Sequence, residues 1–208
     1  MFYFLADPKC YGDFGFIVDV SGSVVSHWDR EKSFIKQLAQ AIWISPNGGR
    51  AAVVQFSSNA KLMINFSNHT SLSGFETALD GLSHWDGTTR INEGLEVALK
   101  EMFQESNGMR PNVSHTLVLI TDGHQTGGNV NYDDFRRRLN KKKIRALVIL
   151  VGNSNRNEVA IRHLVNKDSD LFVASSYDDL ISNAFVSNVV LCGGNGIALF
   201  IDFILFCN

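Results

Sequence analysis

The sequence predicts an α/β fold: a doubly wound, mainly parallel sheet of six strands, with one antiparallel edge strand and helices on both faces. Three observations predict it. Short apolar runs alternate along the chain with longer segments of helical periodicity, the pattern of strand–helix–strand units. Two of those runs, Phe14-Gly15-Phe16-Ile17-Val18 and Thr116-Leu117-Val118-Leu119-Ile120-Thr121, stop at Asp19 and Asp122 and then become polar, as buried parallel strands do where they open into loops. The turn Ser57-Ser58-Asn59 is too short for the crossover that a parallel pair needs, so the strands on either side of it form a hairpin.

The elements follow in order. After the first strand, Trp28, Ile35, Leu38 and Ile42 recur at helical spacing, with Asp29 and Glu31 as acids of a first turn, and Ser45-Pro46-Asn47-Gly48-Gly49 ends that helix. Arg50 to Phe56 and Lys61 to Phe66 are the hairpin strands, the second of them at a sheet edge. Ser71 to Leu82 reads as a short helix, and Ile91, Leu95, Ala98, Leu99 and Met102 mark the core face of the next. The fourth strand ends at Asp122, and Gly123 to Gly128 forms a loop. Tyr132 to Lys143 carries its acids first and its bases last, which complements a helix dipole. Ile144 to Val151 is the fifth strand, Asn157 to Val165 a helix, Asp170 to Ala174 the sixth strand, and Tyr177 to Val190 the closing helix.

The length suits one domain, placed at residues 13–191, between an N-terminal flank at 1–12 and an apolar tail at 192–208. A formal charge of -2 gives no global attraction to nucleic acid or to an anionic membrane, so partner choice falls to a local site. The flank begins Met1-Phe2-Tyr3-Phe4-Leu5-Ala6, apolar but without a basic region, and reads as the remnant of a signal peptide. Ile197 to Cys207 falls short of the roughly 20 residues of a spanning helix and is interrupted by Asp202. It reads as a truncated membrane segment or a mistranslated gene end.

The chemistry gathers at the strand ends. Asp19-Val20-Ser21-Gly22-Ser23 places two hydroxyls two residues apart around a glycine, able to aim at one point. Thr121-Asp122-Gly123 brings a second carboxylate to the same sheet edge, and Gly87-Thr88-Thr89 offers a hydroxyl from a loop entering a helix. Ligands bind at that edge of open α/β sheets. All the donors are oxygen, which suits a small hard cation such as Mg²⁺ or Mn²⁺. His124 beside them reads as a solvent-facing loop residue, since an all-oxygen site has no use for it.

At these residues the sequence resembles the von Willebrand factor type A domain, in the adhesion and extracellular-matrix branch that includes matrilins, collagens VI and XII and integrins. That family writes its metal-ion-dependent adhesion site as D-x-S-x-S, then T, then D. The resemblance implies that Asp19, Ser21, Ser23, Thr89 and Asp122 are the metal residues, the aspartates acting through water. Thr89 is preferred to Thr88 because Gly87-Thr88-Thr89 falls on the family's G-G-T. Thr88 replaces the second glycine there, and Gly94 replaces an alanine further on. The function implied is a cation-dependent protein-binding module without catalysis, which takes an acidic side chain of a matrix or cell-surface protein.

Extracellular members of this family often bridge flanking cysteines, so the resemblance pairs Cys10 with Cys192. The alternative is free thiols in a reduced compartment. Asn65-Phe66-Ser67, Asn68-His69-Thr70 and Asn112-Val113-Ser114 are glycosylation sequons at Asn65, Asn68 and Asn112, and they favour a secreted protein. Arg136, Arg137, Arg138, Lys141, Lys142 and Lys143 form either a solvated helix face or a polyanion contact. Two other functions compete. An intracellular type A scaffold would carry reduced thiols and bare sequons. A metal-dependent hydrolase would need a placed base or acid, and none is evident beside the motifs.

Overall fold

The computed structural model describes residues 11–126, 128–152 and 155–182. Six strands, β1 (Gly12–Asp19), β2 (Arg50–Phe56), β3 (Ala60–Ile64), β4 (Ser114–Thr121), β5 (Ile144–Val151) and β6 (Leu171–Ala174), form one sheet in the order β3-β2-β1-β4-β5-β6. Every neighbouring pair is parallel except β2 with β3, so the antiparallel strand is at the edge. The helices are α1 (Trp28–Ala41), α2 (Leu72–Asp80), α3 (Ile91–Val97), α4 (Tyr132–Lys141), α5 (Asn155–Ile161) and α6 (Tyr177–Leu180).

Strand alternation divides the core in two. Phe14, Phe16 and Val18 of β1 pack with Trp28, Phe34, Ile35 and Leu38 of α1, Phe75 and Leu79 of α2 and Leu180 of α6. Ile17 points to the other face, where Leu95 of α3, Phe135 and Leu139 of α4 and Ile161 of α5 enclose it. Every residue of β1 is buried, as a central parallel strand covered on both faces must be. β1 lies between β2 and β4, where the strand order reverses, so the loops after β1 and β4 open side by side.

The sequence expectations are met for the number and direction of the strands and differ in detail in the bounds of elements. β3 stops at Ile64 rather than Phe66, because Phe66 turns its backbone N–H to the Asn107 carbonyl at 3.0 Å and its ring into the core. A 3₁₀ segment, Gly22–His27, stands between the first loop and α1. α3 runs on into a π-helical turn, Ala98–Met102, in which Phe103 N–H bonds back to the Ala98 carbonyl at 2.9 Å. Asp29 and Glu31 are first-turn acids of α1 as expected, but Glu31 is fully buried on the core side of the helix. Of the expected closing helix, Tyr177–Leu180 is helical, and the residues after Ser182 lie outside the described ones. The flank to Cys10, the tail from 192 with Cys192 and Cys207, and the Cys10–Cys192 pairing lie outside them.

Near the start of β1, at the end of the sheet opposite the loops, Asp13 is fully buried and paired with Arg110, which reaches it with backbone N–H (2.6 Å) and Nε (2.8 Å) and also donates to the Gly48 and Gly12 carbonyls. Along α4, Arg136 pairs with Asp133 at 2.7 Å, Arg137 with Asp134 at 3.2 Å, and Arg138 forms a two-pronged bond to Glu96. Three of the six bases thus meet carboxylates within the molecule, while Lys141, Lys142 and Lys143 stay exposed where α4 ends. Among the described residues no helix is long and apolar enough to cross a membrane.

Candidate metal centre

The first loop is shaped by the acid that ends β1. Asp19 is fully buried and uses both oxygens: Oδ1 accepts the Ser21 N–H at 3.0 Å, and Oδ2 accepts the Thr121 hydroxyl at 2.8 Å. The first bond curls the chain so that Ser21 and Ser23 face the same way, their Oγ atoms 3.1 Å apart. Thr121 in turn accepts the Gly123 N–H at 3.0 Å, which starts the third loop, and Asp122 Oδ1 accepts the His124 N–H at 2.9 Å. One buried carboxylate therefore orders the loops of two strands.

The second loop arrives through the backbone. Gly22 N–H bonds to the Gly87 carbonyl at 3.0 Å, and a Cβ on Gly22 would lie 2.6 Å from Asp86 Oδ1, so a larger residue here would push the Asp86 side chain aside. Thr89 is buried and donates its hydroxyl to Ser21 Oγ at 2.9 Å. Thr88 is exposed and bonded to Ser58 at 2.9 Å instead. Of the two threonines the structure turns Thr89 to the serines.

These distances bear on what the three hydroxyls can hold. An octahedron with ligands at about 2.0–2.1 Å has neighbouring ligands about 2.9 Å apart. Ser21 to Ser23 and Ser21 to Thr89, at 3.1 and 2.9 Å, are close to two such edges. Among the described residues no three His, Cys, Asp or Glu side chains gather about one point, so a cation here must be held largely by hydroxyls. The donor set fits a hard ion such as Mg²⁺ or Mn²⁺ better than a softer one.

Electrostatics agree with a site built for positive charge. Burial pushes the Asp19 carboxyl up to about 6, and the charge of Asp122 adds to the rise, while bonds from Ser21 and Thr121 oppose it. The ionised site is therefore strained by its own charge. A cation would relieve that strain.

The sequence profile of the von Willebrand factor type A domain matches residues 13–184. The chain belongs to that family. The type A domain is 29% identical to human vitrin over 123 residues, 59% of this chain and 18% of vitrin. It is 34% identical to the human collagen alpha-6(VI) chain over 112 residues, 53% of this chain and 5% of the collagen, and 24% identical to mouse integrin alpha-M over 148 residues, 71% and 13%. The chain thus spans under a fifth of the length of each of these three relatives. Among solved structures, proximal thread matrix protein 1 from the mussel byssus, with zinc in its MIDAS motif, superposes with a TM-score of 0.76 at 18% identity, covering 83% of this chain and 46% of that one. At that identity the likeness is one of fold.

Sequence reasoning missed the residues that hold the type A site in place. Thr121 links Asp19 to the third loop. Gln125 Oε1 accepts the Ile91 N–H at 2.8 Å, capping α3 from a neighbouring loop, while Thr126 N–H bonds to the Thr89 carbonyl at 2.8 Å. His84 Nε2 donates to the Ser21 carbonyl at 3.0 Å. Thr121 stands in the Thr121-Asp122-Gly123 phrase with its role unmarked, and the others carry no motif signal, because they act through hydrogen bonds to backbone or to neighbouring side chains. His124 is exposed and gives only its backbone N–H to the cluster.

Proposed function

We propose that this type A domain is a divalent-cation-dependent protein-binding module of the extracellular space. In this reading Ser21, Ser23 and Thr89 bind Mg²⁺ or Mn²⁺ through neutral hydroxyls, and Asp19 and Asp122 act through water. The observation that carries it is the spacing of the three hydroxyls, 3.1 and 2.9 Å, delivered by two loops beside two carboxylates. When bound, the ion supplies Lewis-acid attraction for an incoming anionic oxygen. Because most of the direct donors are neutral, positive charge remains towards solvent, and a glutamate or aspartate of a matrix or cell-surface protein completes the shell.

The protein's own residues position and shield. Asp19 fixes Ser21 and Thr121, Thr89 closes the inner side, and exposed Ser23 marks the mouth. The extracellular assignment rests on the family and on the sequons. Asn68 and Asn112 are exposed, as glycan acceptors must be, and half-buried Asn65 uses Oδ1 to accept from the Ser67 backbone and hydroxyl. A polyanion contact, if made, would fall to Lys141, Lys142 and Lys143, since the three arginines are engaged with acids.

The test is calorimetric titration with Mn²⁺ and Mg²⁺, followed by a screen of matrix proteins with cation and with chelator. One ion per domain, at least tenfold weaker binding by Asp122→Ala and by Ser21→Ala, and a partner retained only with cation are expected. Equal binding by wild type and both variants would overturn the assignment.

A further inference from the structure

Behind the loops lies a buried polar cluster that the cation reading leaves unused. Glu31 of α1 is fully buried, and neither of its carboxyl oxygens has a hydrogen-bond partner. One helical turn earlier, His27 has a buried, unpartnered Nδ1, and its ring stacks on Tyr177 of α6 with centroids 4.1 Å apart. Tyr177 Oη is buried and unpartnered too. Three elements thus turn polar atoms inward at one place and satisfy none of them. Buried polar atoms are seldom left so.

Among the described residues no ion pair reaches Glu31. Arg30 beside it is bonded at 2.7 Å to the exposed Asp178 of α6, outside the cluster. Besides His27, its neighbour one turn back, the groups that act on Glu31 are Asp19 at the end of β1, Tyr177 on α6 and Asp122 after β4. A buried, unpaired carboxylate is costly, so a group in this position keeps its proton. Burial, reinforced by the charge of Asp19, holds the Glu31 carboxyl well above the usual carboxylate range; the nearby Tyr177 hydroxyl opposes the rise, and the charge of Asp122 adds to it by less. Tyr177 stays a neutral phenol, its own proton held more tightly by burial and by Glu31.

The same two aspartates, Asp19 and Asp122, are the charges that would receive the cation. Their field at Glu31 is repulsive while no ion is bound and would be cancelled or reversed by a dication held beside them. Whatever weakens the hold of Glu31 on its proton when the ion binds must strengthen the ion's binding when the proton leaves, by the same factor.

We propose that Glu31 is the proton-carrying residue of the cation site: it is a neutral acid in the empty domain and releases its proton to solvent as a divalent cation enters beside Asp19 and Asp122. This rests on the reading of those aspartates as metal residues. The O–H bond of Glu31 breaks, water takes the proton, and the charge added by the ion is partly offset by the new carboxylate. Cation affinity then rises with pH, by up to about tenfold per pH unit where a full proton is released. The domain would bind partners best at neutral pH and above, and let go on acidification.

The experiment is calorimetric titration of the whole chain with Mn²⁺ at pH 7.0, 7.5 and 8.0, each in two buffers of different ionisation enthalpy, which counts protons released per ion. Asp19, at about 6, is already ionised over this range and contributes little. Wild type is expected to release a measurable fraction of a proton and to bind more tightly at pH 8.0 than at 7.0. Glu31→Gln, and Glu31→Met as a second variant of similar volume, are expected to release only the small share due to Asp19 and to show a correspondingly shallow pH slope. Circular dichroism confirms that each is folded. If wild type binds no ion, the cation reading itself falls. If it binds with the same proton count and slope as either folded variant, the cation reading stands and the role of Glu31 is overturned.

Discussion

Replacing Asp19 by asparagine is expected to stabilise the metal-free domain at neutral pH while removing its response to cation. Asp19 is fully buried, and its carboxyl is raised from 3.8 to about 6, chiefly by burial. A tenfold change in proton affinity is worth about 1.4 kcal/mol, so ionising Asp19 within the fold costs about 3 kcal/mol relative to the unfolded chain. The sign is opposite to that of a salt-bridged acid. Between 3.8 and 6 the folded state binds more protons than the unfolded one, so stability falls as pH rises through that window and the full penalty stands above it.

Asparagine keeps the shape and avoids the charge. Its Oδ1 can still accept the Ser21 N–H, and its Nδ2 can donate to Thr121 Oγ1, reversing the bond that Asp19 accepts there. In chelator at pH 7.5, Asp19→Asn should unfold up to about 3 kcal/mol later than wild type, or roughly 6–12 °C for a domain of this size. At pH 4 the difference should nearly vanish. Adding cation at a hundredfold excess over its dissociation constant should give wild type about 2.7 kcal/mol and the variant far less, so the two melting curves converge. The assay is thermal unfolding by circular dichroism from pH 4 to 8, with chelator and with Mn²⁺. A metal-free variant no more stable than wild type at pH 7.5, or a difference that does not grow from pH 4 to 7, would refute the reasoning.

Three further outcomes are expected. Arg110→Ala leaves the fully buried Asp13 without its guanidinium and should cost about 3–5 kcal/mol in urea unfolding; a loss under 1 kcal/mol would show that the pair is dispensable. Gly94→Ala should destabilise by about 1–3 kcal/mol although alanine favours helix, because its Cβ would stand 2.8 Å from Ile17 Cγ2 and 3.0 Å from Phe56 Cδ1; a gain in melting temperature would mean that α3 can shift away. Glu96, held down at about 2 mainly by its bond to Arg138, contributes stability that is present above its unfolded value and lost as pH falls towards 2. Glu96→Gln should therefore cost at most about 1 kcal/mol at pH 7, the pair being partly exposed, and the gap should close between about pH 4.5 and 2.

The sheet and the three loops were legible because local rules and global fold agree there. β2 and β5 have the bounds that their apolar runs suggest, and the three-residue turn decides that β3 is antiparallel. Asp19, Ser21, Ser23 and Asp122 are readable because their spacing is fixed by covalent neighbours at strand ends. Thr89 was the harder choice, as Thr88 is chemically equal. What separates them is burial and the competing bond to Ser58, which depends on a hairpin turn some thirty residues away.

Glu31 shows a signal that was present and outweighed. It follows Trp28 by three residues and precedes Ile35 by four, so the helical period that defines the core face of α1 includes it. Glu31 is both a first-turn acid of α1 and a residue of its buried face. A buried acid at an apolar spacing is worth pursuing for that conflict alone, since the chain keeps a costly group where a leucine would pack. Here the conflict has a physical resolution. Asp19 and Asp122 can share an ion only if their charges stand close enough to repel, and a neutral Glu31 behind them adds no charge to that repulsion until the ion arrives. A permanent carboxylate in its place would burden the empty fold further, and an apolar side chain would add nothing to the offset that Asp19 and Asp122 give the ion. A carboxyl that changes its charge with the occupancy of the site meets both conditions.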